Sequence, residues 1–249
     1  MSSEFVVCIC SRKRSDMFWK TLGKVEDQAT LIDVVAGIQK SEVKDYDREV
    51  EMCVSFVFER KVGIGPAREA VRKEALRLYP KAKYFLWVDD KTSVKKGLMR
   101  GLEILKKKKD IGIVCGTSDL IRFFTPAKSS QKLWGATLMW VRRDVMQKNK
   151  FLMIRSYEDK AFMLGAIKQG YKIANDYKMD YTGPRHLKGG TSSHRGLDKR
   201  HVEYTMRVLK RECHGITKMT LKKKKDKGVW AISLKYSDEV LKNIVAIGG

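Results

Sequence analysis

One segment of the chain, Phe56–Thr92, combines strand and helix patterns in the order that is typical of α/β sheets. An apolar run leads into a turn rich in glycine and proline, and the turn leads into a helix pattern. Gly65 suits the helix cap, and Pro66 suits the first helical position, where the N–H that proline lacks would have no partner. Three apolar residues then recur with helical spacing: Val71, Ala75 and Leu78. The sequence therefore predicts a helix over Pro66–Tyr79.

A second apolar run, Tyr84–Val88, follows this helix and delivers Asp89 and Asp90 at its end. A continuous apolar run is typical of a parallel strand that is covered on both faces. In open α/β sheets, ligands bind at the C-terminal ends of the parallel strands. Two carboxylates at that edge suit either a metal–phosphate ligand or the hydroxyl groups of a sugar. The plainer alternative is a polar turn at the end of a strand.

The net charge of the chain favours an anionic partner. Its 249 residues include 52 lysine and arginine residues against 29 aspartate and glutamate residues, a net charge of +23. This excess favours nucleic acid first and an anionic membrane surface or polymer second. A solvated basic surface without a specific partner is the alternative. No apolar run approaches the roughly 20 residues of a membrane span, and the start of the chain does not resemble a signal peptide, so we expect a cytoplasmic protein.

Strand and helix patterns alternate along the first half of the chain, which predicts an α/β fold with a mostly parallel sheet and helices on both faces. The alternation becomes irregular after Gly116. We expect one catalytic domain over residues 1–217. A basic C-terminal extension, residues 218–249, is expected to pack on the same domain.

A helix that carries Phe18, Leu22 and Val25 on one face is predicted before the opening segment, and three helices and two late strands are predicted after it. The helices span Val94–Lys109, Tyr157–Gln169 and the very basic Leu197–Glu212. Ser156 is the expected N-cap of the second helix. In the third helix, three residues are expected to face inward: Leu197, Tyr204 and Val208. The strands are Tyr171–Ala174 and Gly228–Leu234.

The turn that contains Gly63 and Gly65 does not fit a dinucleotide-binding fingerprint. That fingerprint requires a third glycine and a ribose-binding acid about 20 residues later, whereas Arg68 occupies the third position here. The chain also lacks the Gly-Lys-Ser/Thr of a P-loop. An arginine in the first turn of a helix suits a phosphate or a uracil-like group, because it adds a charged fork to unpaired backbone N–H groups.

Five motifs in this order resemble those of GT-A fold nucleotide-sugar glycosyltransferases, especially the family 2 type. In chain order they are Val6–Arg14, Gly65–Glu69 with Phe85–Asp90, Gly135–Arg143, Tyr157–Asp159 and Gly189–His194. The resemblance covers about Phe5 to His194. It implies an inverting transfer of a sugar from a nucleoside-diphosphate sugar, with UDP as the expected nucleotide.

The resemblance also implies roles for individual residues. Asp159 would be the catalytic base, and Glu158 would hold the acceptor or orient the base. A divalent cation, Mn²⁺ or Mg²⁺, would be bound by Asp90 and His194. The residues implied in donor binding are Ser11, Arg12, Arg14, Arg68, Asp89, Asp90 and Lys91. The plainer alternatives are helix-terminal acids for Glu158 and Asp159 and a surface imidazole for His194.

Two positions depart from the family pattern. Lys91 stands where Asp-x-Asp would have its metal ligand. Either Asp90 binds the metal, or the Lys91 ammonium replaces it and stabilises the leaving diphosphate. Glu69 stands in place of the usual asparagine, and the sequence offers no interpretation of it.

The basic region that follows the proposed acceptor side favours a nucleic-acid acceptor. Five residues there are expected to bind DNA: Arg185, Lys188, Arg195, Lys199 and Arg200. The combination resembles the phage glycosyltransferases that are associated with TET-type oxygenases and that add sugar to 5-hydroxymethylcytosine in double-stranded DNA. That resemblance implies the cytoplasm of an infected host cell. The alternatives are a polysaccharide, lipid or protein acceptor, or a non-catalytic nucleic-acid-binding protein on the same scaffold.

Overall fold

A computed structural model describes residues 4–29, 32–46, 53–59, 63–118, 133, 137–182, 198–224 and 229–248. Its strands, in chain order, are β1 Phe5–Cys10, β2 Asp33–Gln39, β3 Cys53–Glu59, β4 Tyr84–Asp89, β5 Ser93–Lys96, β6 Ile111–Ser118, β7 Leu138–Arg142, β8 Lys172–Thr182, β9 Ile216–Lys224, β10 Val229–Tyr236 and β11 Ile244–Ile247. Its α-helices are α1 Ser15–Glu26, α2 Val43–Tyr46, α3 Ile64–Leu78, α4 Leu98–Lys107, α5 Arg143–Lys148, α6 Glu158–Lys168, α7 Lys199–Glu212 and α8 Asp238–Lys242, and a 3₁₀ turn covers Lys40–Glu42.

A central sheet runs in the order β11-β8-β6-β7-β4-β1-β2-β3, with β5 paired to β8. Most neighbours are parallel, whereas β7 runs antiparallel to both β4 and β6. Cys10 at the end of β1 pairs with Asp89 at the end of β4. The residues that follow these two strands therefore meet at one edge of the sheet, where parallel strands present their C-terminal ends.

Helices cover both faces of this sheet, so the predicted α/β class is confirmed. On one face, α1 contributes Phe18 and Leu22, and α4 contributes Leu98 and Leu102 to the buried core. On the other face, the core includes residues of α3, α5 and α6: Val71, Ala75, Val145, Met146, Phe162 and Met163. Among the described residues, no helix combines the length and the apolar character that crossing a membrane requires.

A smaller unit follows the central elements along the chain. The antiparallel strands β9 and β10 form a two-stranded ribbon of their own. The inner face of the ribbon packs against α7 through Met219, Leu221, Trp230, Ile232 and Leu234. The same cluster includes Leu152, Ile154 and Ala161, so this unit is seated on the start of α6. The chain then returns to the central sheet, where β11 pairs with β8.

Several predicted element bounds are wrong. The residues Ser93–Lys96 form β5, and the helix that was expected from Val94 begins at Leu98. The strand expected over Tyr171–Ala174 extends to Thr182, because it pairs with β6 as far as Tyr181 and its last residues also pair with β5. The strands β9 and β11 were not predicted, and the strand expected over Gly228–Leu234 spans Val229–Tyr236.

Helix starts were also misplaced. Helix α3 begins at Ile64, with Gly63 as its N-cap at φ +89°. Helix α6 begins at Glu158 after Tyr157, and the expected cap Ser156 makes no capping hydrogen bond. In α7, Val208 faces inward as expected, but the side chain of Tyr204 is exposed.

Candidate active site

The loop that follows β1, Ser11–Arg14 (the β1 loop), is held in place from outside its own strand. The Lys13 N–H donates to the Glu42 carboxylate at 2.7 Å. The Arg14 N–H donates to the Tyr46 hydroxyl at 3.2 Å. Glu42 and Tyr46 come from the short helical segment after β2, so the loop geometry depends on a contact that the sequence analysis missed.

Asp90 anchors this loop to the end of β4. Its carboxylate accepts a hydrogen bond from the Ser11 hydroxyl at 2.6 Å and forms an ion pair with Arg14 at 2.9 Å. The Thr21 hydroxyl donates to the Asp90 carbonyl at 3.0 Å. Asp90 is only 2% exposed, and this burial raises its pKa to about 6, although Arg14 and Ser11 act in the opposite direction. Both carboxylate oxygens are occupied by protein partners.

The Arg14 side chain keeps hydrogen-bonding capacity beyond this ion pair. Its Nε and Nη1 atoms are buried, and neither has a hydrogen-bond partner within the part of the chain that the structure describes. Buried polar groups are normally paired, and an unmet guanidinium donor costs free energy. These atoms are therefore suited to an acceptor group of a bound ligand, and the donor-binding role of Arg14 stays a prediction.

Arg68 joins the end of β4 to the start of α6. Its Nη2 bonds to Asp89 and its Nη1 bonds to Glu158, each at 2.9 Å. Burial alone would lower the pKa of Arg68, but nearby carboxylates, Glu158 first, outweigh it and raise that pKa. The guanidinium carbon also lies 5.9 Å from the centre of the Phe151 ring. We call this arrangement the Arg68 bridge.

Glu158 is the buried member of the acidic pair at the start of α6. Burial raises the pKa of its carboxyl, the Arg68 charge lowers it, and Asp159 raises it again. Asp159 is half-buried and lies close enough to influence the pKa of Cys115 and of Tyr236. The two acids therefore differ in environment: Glu158 is paired inside the protein, and Asp159 lies nearer to solvent.

The residue before this pair has an unusual backbone. Tyr157 adopts φ +65°, and Lys13 in the β1 loop adopts φ +54°. These two are the non-glycine residues with positive φ within the described ranges. Such conformations cost of order 1–3 kcal/mol and concentrate at functional sites. Here one lies in the β1 loop, and the other directly precedes the two candidate catalytic acids.

Tyr181 on β8 completes this side of the site. It makes side-chain hydrogen bonds to Thr137 and Ser118, and its burial raises its pKa to about 12. Asp89 also contributes to the raised pKa, so the two side chains are neighbours. The sequence analysis did not select Tyr181, because the tyrosine gains its position only when β8 extends beyond the predicted strand.

The structure explains two features of the glycine-rich turn. Glu69, which stands in place of the family's asparagine, accepts hydrogen bonds from Nε and Nη2 of Arg72 at 2.8 Å each and from the Phe151 N–H at 2.9 Å. A Cβ at Gly65 would lie 2.2 Å from the Leu152 carbonyl oxygen. Both residues therefore hold the segment that carries Phe151 against α3, beneath Arg68.

The described residues meet the requirements of a divalent cation only in part. Asp89 is 28% exposed and has one oxygen on Arg68, whereas both oxygens of Asp90 are engaged and buried. Asp89 is therefore the more accessible carboxylate in this arrangement, and the role of Asp90 as metal ligand stays a prediction. No group of three histidine, cysteine or acidic side chains within the described ranges is arranged to hold a metal. His194 lies outside those ranges.

The other predicted residues divide between the site and the rest of the chain. Arg12 is half-buried within the β1 loop, and Lys91 is half-buried next to Asp90. Lys199 and Arg200 are exposed at the start of α7. Three expected DNA-binding residues lie outside the described residues: Arg185, Lys188 and Arg195. So do the Gly189–His194 motif and Gly135 of the Gly135–Arg143 motif.

Comparisons with known proteins identify the fold. The chain resembles a mannosyltransferase from Pyrobaculum calidifontis, solved with GDP-Man and Mn²⁺, at 13% identity and a TM-score of 0.63, covering 83% of this chain and 64% of that one. It resembles S. aureus TarS at 17% identity and a TM-score of 0.54, covering 72% and 36%. A CMP:2-keto-3-deoxy-manno-octonic acid synthetase complexed with CTP matches at 12% identity and a TM-score of 0.50, covering 84% and 99%.

These matches show a GT-A-like fold. The fold is shared by sugar transferases and by an enzyme that forms a nucleotide sugar. The chain spans less than two thirds of the length of the mannosyltransferase and about a third of TarS. Neither a protein-family model nor a curated protein sequence matches the chain.

Proposed function

We propose that this protein is an inverting glycosyltransferase that moves a sugar from a nucleoside-diphosphate sugar, with UDP as the expected nucleotide, to a hydroxyl group of modified DNA. The observation that carries the proposal is the Arg68 bridge. It ties Asp89, at the donor end of β4, to Glu158, directly before Asp159 at the start of α6. A nucleotidyltransferase would not need a base at this position, whereas sugar transfer to a hydroxyl does.

The proposed chemistry is a single displacement. The acceptor hydroxyl oxygen attacks the anomeric carbon and forms the new glycosidic bond while Asp159 accepts its proton. The bond between the anomeric carbon and the diphosphate oxygen breaks, and the diphosphate leaves with the electron pair. Glu158 and Arg68 hold the start of α6 so that Asp159 faces the acceptor, and attack from the opposite side inverts the anomeric configuration.

The donor is assigned to the β1 loop and the end of β4. The unpaired Nε and Nη1 atoms of Arg14 supply hydrogen-bond donors for an acceptor group of the nucleotide. Lys91 contributes positive charge near Asp90, where a departing diphosphate would be stabilised. A divalent cation, Mn²⁺ or Mg²⁺, remains part of the proposal, with Asp90 and His194 as its expected ligands and the more exposed Asp89 as a further carboxylate next to it.

The net charge of the chain and the exposed basic residues of α7 support DNA as the acceptor. A net charge of +23 exceeds what a neutral sugar, lipid or protein acceptor would require, and exposed Lys199 and Arg200 begin a helix that packs next to α6. Duplex DNA that contains 5-hydroxymethylcytosine offers a free hydroxyl group, which projects into the major groove or is exposed by base flipping. The second candidate is transfer to a polysaccharide, lipid or protein, which the same catalytic geometry would serve.

The experiment is incubation with a hydroxymethylated duplex and a panel of UDP-sugars, followed by mass spectrometry of the released nucleosides. We expect a mass increase of one hexose-type residue on the modified base. Absence of an adduct together with hydrolysis of a UDP-sugar would reject the DNA acceptor and favour the second candidate. Absence of both would reject the transferase proposal.

A matched pair of variants tests the base. Asp159→Asn removes the proposed base, and Asp238→Asn removes an exposed acid from the first turn of α8. We expect Asp159→Asn to abolish transfer while duplex binding is retained. Asp238→Asn should leave transfer unchanged. If Asp159 serves only the helix dipole, the two variants will behave alike.

A further inference from the structure

Helix α7 presents a continuous basic and aromatic face to solvent. Arg200, Tyr204, Arg207 and Arg211 follow one another at intervals of four, three and four residues, so they share one face of the helix. All four are exposed. The buried residues Val202, Thr205, Val208 and Leu209 occupy the opposite face. We call the exposed set the α7 stripe.

Packing within the protein does not account for the exposed position of the Tyr204 side chain. Its side chain is 48% exposed, and it is one of two large hydrophobic residues that are exposed in the described part of the chain. It lies one turn from Arg200 and one turn from Arg207. An exposed ring between arginines is suited to contact with a ligand that offers both negative charge and flat or apolar surface.

Acidic neighbours neutralise the stripe only in part. Arg211 donates from Nε to Glu212 at 2.8 Å, which leaves the other donors of its fork available. Glu203 lies 3.7 Å from Lys199. Exposed ion pairs of this kind are weak, so a polyanion can compete for the arginines.

We propose that the α7 stripe docks duplex DNA by entering the major groove, an assignment that rests on the DNA acceptor of the proposed function. At a rise of 1.5 Å per residue, Arg200 and Arg211 are about 16 Å apart along the helix. The major groove is about 12 Å wide. When the helix crosses the groove, Arg200 and Arg211 reach the phosphates on its two sides, and Tyr204 and Arg207 lie over the base edges.

The position of Tyr204 suits the chemistry of the acceptor. Substituents at C5 of a pyrimidine project into the major groove, where they present apolar surface. The Tyr204 ring contacts that surface, and Arg207 offers a fork to the acceptors of a neighbouring guanine. Duplex RNA does not fit this arrangement, because its major groove is deep and too narrow for side chains to read.

The ribbon β9–β10 supplies a matched control. Three lysines of its outer face are exposed among the described side chains: Lys218 lies directly opposite Lys235, and Lys222 lies four residues further along β9. The test compares Arg200→Gln/Arg207→Gln/Arg211→Gln with Lys218→Gln/Lys222→Gln/Lys235→Gln in the full-length chain. The two triple variants lose the same charge from opposite faces of one unit. Binding to a fluorescent unmodified DNA duplex is measured over a range of salt concentrations.

The helix variant is expected to lose at least about tenfold in affinity near 0.1 M salt, and the slope of log K against log salt is expected to fall by about 2 to 3. The ribbon variant should stay within about threefold of the native protein. Equal losses in both variants, a loss confined to the ribbon variant, no loss in either, or tighter binding of an RNA duplex would overturn the proposal.

Tyr204 gives an independent readout. Tyr204→Ala should lower duplex affinity by about tenfold without a change in salt slope, because no phosphate contact is removed, and Tyr204→Phe should retain most of the affinity. Unchanged affinity in Tyr204→Ala would remove the ring from the docking surface.

Transfer to hydroxymethylated duplex is assayed in parallel. Salt-dependent docking without transfer rejects the catalytic proposal alone, and transfer that survives in the helix variant with unchanged affinity rejects the docking proposal alone.

Discussion

The Tyr157 hydroxyl donates to the Ile232 carbonyl at 2.6 Å and accepts from the Ile232 N–H at 3.1 Å. One side chain thus satisfies both backbone groups of a residue on β10. Tyr157 directly precedes Glu158 and has a left-handed backbone. The ribbon and the start of α6 are therefore fixed to each other next to the candidate base, and the strain at Tyr157 is held by this contact.

Tyr157→Phe should destabilise the protein. It leaves the Ile232 N–H and carbonyl without the hydroxyl partner, and an unmet buried polar group costs about 1–3 kcal/mol. The free energy of unfolding in urea measures this loss. Tyr204→Phe is the control, because its ring is exposed and its change should stay within about 0.5 kcal/mol. Equal stabilities of the two variants would show that the Tyr157–Ile232 contact is not formed in solution.

The Arg68 bridge predicts strong coupling between Arg68 and Glu158. Arg68→Met leaves Glu158 as a buried charge without its partner, which costs roughly 3–5 kcal/mol. In a Glu158→Gln background the same substitution should cost less, because no buried charge is stranded there. A double-mutant cycle on the free energy of unfolding should give a coupling of at least about 1 kcal/mol. Additive effects would mean that the two side chains act independently.

The sequence identified most members of the site but not how they interact. Arg68, Asp89 and Glu158 were all selected from motifs, and each motif concerned a neighbouring stretch of chain. Arg68 joins Asp89 to Glu158 because of the way α6 packs against β4. Local sequence patterns do not encode this packing. Tyr46 and Tyr181 were missed, and Tyr157 was part of a motif but had no role, for the same reason: a tyrosine hydroxyl acquires its partner only through tertiary contacts.

The fold was most predictable where apolar patterns were continuous. The strands β1 and β4 and the apolar face of α3 follow directly from such patterns. Strand β9 was read as part of a lysine-rich stretch, although Met219 and Leu221 alternate with polar residues and pack inward. The length of β8 was not predicted because charged and polar residues interrupt its second half, which is paired on both sides, with β6 and with β5.

Asp90 predicts a pH dependence of stability. Its pKa of about 6 in the folded protein exceeds that of an unfolded aspartate, about 3.9. Between these values the folded state holds a proton that the unfolded state has lost, so this group makes stability fall as pH rises from about 4 to about 6. The change amounts to about 3 kcal/mol across the window.

Asp90→Asn lacks this titration, so its free energy of unfolding should vary less steeply than that of the native protein over the same range of pH. Urea unfolding at pH 4.0, 5.0, 6.0 and 7.5 gives the free energy of unfolding of each protein. The gap between the two values is expected to change by about 3 kcal/mol across this range. The gap should be nearly constant above pH 7. Parallel curves across the whole range would show that Asp90 keeps an ordinary pKa despite its burial.

The close backbone contacts of Gly65 predict that alanine destabilises the protein there but not at Gly23. Gly65→Ala would place a Cβ 2.2 Å from the Leu152 carbonyl oxygen and 2.5 Å from that of Ile154. Both contacts are with backbone, so the segment beneath Arg68 must move, and we expect a loss of about 2 kcal/mol or more together with loss of transfer. Gly23→Ala in α1 meets no atom within 4 Å and should stabilise the protein by about 0.5–1 kcal/mol. Thermal or urea unfolding of the two variants should therefore show shifts of opposite sign, and a stabilised Gly65→Ala would contradict the close approach of this segment to α3.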